Sequence, residues 1–164
     1  MEELALARVG DTFNQYRGER AGLLRERLDP YLREQNGAHV LLVGEAAGYR
    51  GARVSGIPFT SERQLTGMGP AEATATIVHC ALAELGLGER VLLWNLVPTH
   101  PHRPGRPLST RPPAGAEIEL CRRFVSELAA GRGSYRSAAW PGGRSADTPS
   151  ATPPAAARRA FWPV

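Results

Sequence analysis

The chain has 164 residues, 42% of them hydrophobic and 22% charged, a balance that suits one globular domain around one core. No apolar stretch reaches the ~18 residues needed to cross a bilayer. The opening run Met1–Arg8 has no basic segment leading into an apolar one, so the sequence reads as cytoplasmic and without a membrane partner. The formal charge of +4 rests on arginine, which pairs bidentately with phosphate and admits nucleic acid as a partner; a GC-rich genome gives the same composition with no partner at all. Cys80 and Cys121 are the two cysteines. Two thiols do not make a four-thiolate zinc or iron–sulfur site, and each lies in an apolar helical pattern that suits a small buried side chain.

Apolar residues recur at helical spacing from Leu4 through Val9, Phe13 and Tyr16, and again from Leu23 through Leu28 and Leu32. This predicts two or three helices, interrupted at Gly18 and at Asp29-Pro30 and closed by Asn36-Gly37. The apolar run His39 to Val43 predicts a strand buried on both faces. A glycine-rich loop follows over 44–69, then a helix opened by Pro70 and running to about Leu85. Arg90 to Asn95 is a second buried strand, Pro98 to Pro113 a polar loop, and Gly115 to Ala129 a helix with Ile118, Cys121, Phe124 and Leu128 inward. From Gly131 no apolar period remains and Gly, Ser, Ala, Pro and Arg dominate. The chain thus divides into a domain over 1–130 and an irregular, low-complexity segment over 131–164.

The order strand, loop, helix, twice over, predicts an α/β fold: three layers, α/β/α, around a short parallel sheet. Ligands of such sheets bind outside the carboxyl ends of the strands, where both loops with unusual residues fall. The first reads Gly44-Glu45-Ala46-Ala47-Gly48-Tyr49-Arg50-Gly51 and then Gly56-Ile57-Pro58-Phe59-Thr60-Ser61. The second follows Trp94-Asn95 and holds His100, His102, Arg103, Arg106 and Ser109. The Gly-Lys-Ser/Thr ending of a P-loop is absent, and Gly44, Gly48 and Gly51 do not have Rossmann spacing. His100 and His102, with no carboxylate or cysteine beside them, make a poor metal site.

Gly44 to Gly48 resembles the first motif of the family-4 branch of the uracil-DNA glycosylase superfamily, usually Gly-Glu-Ala-Pro-Gly, with Ala47 in place of the proline. Gly56 to Ser61 resembles the segment carrying that branch's stacking phenylalanine, and Asn95 matches the asparagine that reads the uracil edge. The spacing of Glu117 and Cys121 on the last helix is also similar, so the likeness spans roughly 40–128. The resemblance implies a DNA-repair hydrolase, a base-excision enzyme that cleaves the N-glycosidic bond of uracil or a related deaminated base in single- or double-stranded DNA as a monomer. It implies Glu45 and Asn95 as catalytic residues. Gly44, Ala46, Gly48, Tyr49 and Phe59, with Asn95, would bind the base, and Tyr49 would block thymine's methyl group. Arg50, His100, His102, Arg103, Arg106 and Ser109 would hold the DNA. Family-4 proteins usually carry an iron–sulfur cluster on four cysteines; this sequence lacks them and resembles a cluster-free relative, with no cofactor and no metal. Each residue has a duller alternative: Glu45 a loop cap, Phe59 core, Asn95 a turn residue, and the arginine loop a solvated surface.

The superfamily's late His-Pro-Ser/Ala segment, whose histidine donates to the uracil carbonyl, has no counterpart in the last third of the chain. Reverse translation of Ser150 to Ala157, read from the third base of each codon with GC-rich wobble choices, spells Arg-His-Pro-Ala-Arg-Gly-Gly. This predicts that the segment after about Gly131 is translated out of frame. A non-catalytic nucleic-acid-binding protein of the same fold is the alternative that the absent histidine favours, and a different α/β enzyme acting on a nucleotide is a third reading.

Overall fold

The computed structural model describes residues 2–130 and 132–136. The stretch 137–164, where the late segment and most of the irregular segment fall, lies outside the described residues. The elements run α1 (Glu2–Leu6), β1 (Thr12–Phe13), α2 (Ala21–Glu34), β2 (Val40–Ala46), α3 (Ala52–Ser55), α4 (Glu62–Thr66), α5 (Ala73–Glu84), β3 (Val91–Val97), β4 (His100–Pro101), α6 (Gly115–Ala129) and β5 (Gly133–Arg136).

The sheet is parallel throughout and ordered β3-β2-β5. Side chains alternate across each strand, and the two core clusters sort by that alternation. Leu41, Val43, Leu92 and Trp94 pack with Cys121 and Phe124 of α6. Val40, Leu42, Val91 and Leu93 pack with Val78 and Leu82 of α5. The sheet is therefore covered on both faces, which is why β2 and β3 read as continuous apolar runs rather than alternating ones. This is the expected α/β/α layering. Because α5 and α6 return over opposite faces, the chain leaves β2 and β3 in opposite directions and opens a crevice at their carboxyl ends.

The free edge of β3 is closed by α2. The Tyr31 hydroxyl donates to Leu93 O at 3.1 Å and accepts from Leu93 N at 2.9 Å, so one side chain satisfies both exposed backbone groups of an edge strand. Helix α2 runs unbroken through Pro30, against the interruption expected there. One lost N–H is outweighed by the burial of Leu24, Leu28 and Tyr31 on its inner face.

The N-terminal helical spacing misleads after Leu6. Gly10, at φ 49°, turns the chain, and Thr12–Phe13 pairs antiparallel with His100–Pro101. Thr12 Oγ1 meets Thr99 Oγ1 at 2.6 Å and Gln15 Nε2 donates to Pro98 O at 2.8 Å. The N-terminal segment thus pins the loop that follows β3. At the other end the sheet continues past residue 130. Gly133–Arg136 pairs with Val40–Val43, and the Arg132 guanidinium donates to Ala38 O and Asn36 O, each at 2.9 Å.

Candidate active site

Strand β2 extends to Ala46, so Gly44, Glu45 and Ala46 are strand residues rather than loop residues. Gly44 is in register with Asn95, and their side-chain directions share the face covered by α5. Phe59 closes over them. A Cβ placed on Gly44 would run into the Phe59 ring, whose Cε2 would be 2.8 Å away, and would come 3.3 Å from Asn95 Oδ1. Glycine is needed at 44 for the approach of the ring, not for its own dihedral angles.

Asn95 is buried, 5% exposed, and its amide makes no hydrogen bond to another described residue. A buried amide costs free energy unless something satisfies it. Phe59 is the one described non-glycine residue with positive φ, 53°, a conformation costing about 1–2 kcal/mol for an L-residue. Its neighbours hold it there. Ser55 Oγ donates to Thr60 O at 2.6 Å and accepts from Ile57 N at 3.1 Å. Thr60 Oγ1 donates to Pro58 O at 3.1 Å, and Tyr16 OH to Gly56 O at 2.9 Å. Strain kept by a surrounding network is a mark of a working position.

Ala47 is buried, and its N–H donates to Val97 O at 3.1 Å, a bond that proline at this position would forfeit. Glu45 is exposed, Ala46 and Gly48 are half-buried, and Tyr49 is half-buried with the Arg50 guanidinium 5.3 Å over its ring.

The expected phosphate contacts divide. Arg50, Arg103 and Arg106 are exposed and His102 is half-buried. His100, in contrast, is fully buried, with Nδ1 2.8 Å from Ala47 O and Nε2 3.0 Å from Ser109 O. It braces one loop against the other and offers no ring nitrogen to a phosphate. Burial pushes its pKa down, although both carbonyls favour the charged ring. The Ser109 hydroxyl is also committed, accepting from Arg103 N at 3.0 Å and donating to Arg106 O at 2.7 Å, so it shapes the arginine turn from within.

Two side chains not anticipated from the motifs approach the site from α5. Glu72 precedes the helix and lies against Gly48 and Gly51. His79, two helical turns on, meets Thr60 Oγ1 at 3.3 Å and donates to the Phe59 backbone. Their separation of seven residues, which places both on one helix face, was the available signal.

The uracil DNA glycosylase superfamily matches residues 32–133, well over half of the chain. The chain belongs to the uracil DNA glycosylase superfamily. No curated protein and no solved structure matches it. In this superfamily member Cys80 and Cys121 sit on helices that cover opposite faces of the sheet, and burial raises the Cys121 thiol to about 11. They do not fit a four-cysteine cluster. Among the described residues no group of three His, Cys, Asp or Glu is placed to hold a metal ion, and no helix is long and apolar enough to cross a membrane.

Proposed function

We propose that this superfamily member is a family-4-like glycosylase that hydrolyses the N-glycosidic bond of uracil in DNA. The observation that carries this is the junction of Gly44, Phe59 and Asn95 at the carboxyl ends of β2 and β3, with the Asn95 amide uncommitted to any described residue. A base within a duplex must be flipped out to be reached. Phe59 stacks on the flipped ring, and the Asn95 amide offers a donor to O4 and an acceptor to N3–H of uracil, the reverse of what cytosine requires. Tyr49 excludes thymine's methyl group. Bond cleavage leaves positive charge on the sugar and negative charge on the departing base. Glu45 faces the former, and the backbone donors of the Gly44–Gly48 segment the latter, apart from the Ala47 N–H already given to Val97. Arg50, Arg103 and Arg106 supply cations for the DNA backbone, with His102 beside them.

The test is excision of uracil from a labelled oligonucleotide, read as strand cleavage after alkali. The full chain is expected to cleave at uracil and Asn95→Ala to lose that cleavage. A folded chain that retains uracil-containing DNA without cleaving it is the alternative, a binding member of the fold; the missing His-Pro segment favours it. The out-of-frame reading has its own check in the coding sequence, where wobble bases over Ser150 to Ala157 that do not spell His-Pro dispose of it.

A further inference from the structure

The carboxylate of Glu72 stands inside the bend of the glycine-rich segment. A Cβ on Gly48 would meet it with Cδ 2.8 Å away, and a Cβ on Gly51 with Cδ 2.6 Å away. Gly48 has no positive φ to demand glycine; what it provides is room for this carboxylate. The Cα–H bonds of the two glycines face the oxygens, and these are weak donors. Glu72 is the residue just before α5, where a carboxylate ordinarily bonds the free N–H groups of the first turn. Its side chain makes no such bond. No hydrogen bond or ion pair joins it to another described residue, and burial raises its pKa. A half-buried carboxylate left with open lone pairs costs stability and marks a place where a ligand completes the site. Gly48 follows Gly44 by four residues, which puts the carboxylate's cradle within roughly 14 Å of chain from the Phe59–Asn95 junction.

We propose that Glu72 is the carboxylate that holds and deprotonates the attacking water. This rests on the glycosylase reading above and adds a residue outside the motifs that suggested it. The water oxygen bonds to the sugar C1′ while the C1′–N1 bond breaks and its electron pair leaves with uracil. One water proton passes to the Glu72 carboxylate and on to solvent, and the uracil anion takes a proton from solvent. Glu45, exposed on the strand, is left to face the sugar cation.

The experiment compares the full chain with Glu72→Gln, Glu72→Asp and Asn95→Ala in three measurements: single-turnover excision, binding to an uncleavable uracil-containing oligonucleotide, and melting temperature. Glu72→Gln is expected to slow excision by about 100-fold or more and to keep binding within about threefold. It should also melt a few degrees higher, because it removes a desolvated charge. Glu72→Asp should recover part of the rate. A merely structural glutamate gives the opposite pattern, a lower melting temperature with binding and rate falling together, and that result overturns the proposal. So does excision by Glu72→Gln at the rate of the unaltered chain. If the unaltered chain itself releases no uracil, the glycosylase reading fails and takes this one with it. An active chain with an active Glu72→Gln removes this one alone.

Discussion

Gly44 concentrates the site's requirements in one missing atom. The strand leading up to it is apolar, and a methyl group there would suit the core by composition. Geometry forbids it, since the Phe59 ring occupies that space and Asn95 Oδ1 borders it. Gly44→Ala should push the ring aside at a cost of about 1–3 kcal/mol and separate the platform from the amide. The expected outcome is a soluble chain with a lower urea midpoint and at least tenfold slower excision; unchanged excision would show that the Phe59 position is not used. Gly44, Phe59 and Asn95 were legible in the sequence as candidates because they belong to short motifs, two toward the carboxyl ends of the strands and one in the loop between α3 and α4. Glu72 and His79 were not, since polar residues scattered along and just before an apolar helix read as an ordinary amphipathic surface. His100 was misplaced for a related reason. A loop has no period from which burial can be read, and its two backbone acceptors, Ala47 and Ser109, come from segments far apart in the chain.

At the scale of elements, the sheet and its two covering helices were legible because burial on both faces leaves long apolar runs. What escaped were the short pieces, the β1–β4 ribbon and the strand β5, two and four residues long, which carry too little pattern to register. Strand β5 matters most of these. It pairs with β2, the strand that presents Gly44, and the adjoining Arg132 ties it to Ala38 and Asn36. A chain ended at Ala130, where composition alone draws the boundary, would lose both and leave β2 with an open edge. Ending the chain at Arg136 instead keeps them. The shorter version should melt at least 5 °C lower than the longer one and aggregate on concentration, as thermal scans and light scattering would register. Equal melting temperatures would show that the domain closes at 130.

Across the whole molecule, the buried titratable groups set how the fold responds to acid, and they do not all act in one direction. Burial lowers the pKa of His79 and of His100 below the ordinary 6.5. The unfolded chain therefore takes up these protons before the folded one does, and the stability present above pH 6.5 is lost as pH falls below it. Each such proton sets a limiting slope of about 1.4 kcal/mol per pH unit. Glu117 adds to the loss lower down. Bonded to Arg111 at 2.8 and 2.6 Å, and accepting from Ala114 N at 2.8 Å, its carboxyl is held below the ordinary 4.5. Its contribution is present above that value and disappears as pH falls through the depressed one. Glu72 runs against this trend. Its raised pKa makes ionisation a burden on the folded state, so protonating it on the way down returns some stability. The melting temperature should hence fall from pH 7.5 to 5.5, fall more shallowly as pH comes down towards 4.5, and drop again below pH 4.5. Glu72→Gln should steepen the middle region, having no proton to take up, while His79→Gln should flatten the first. A melting temperature constant from 7.5 to 5.5 would mean that neither imidazole is buried as the structure has it, and would dissolve both the His100 brace between the two loops and the His79 support behind Phe59.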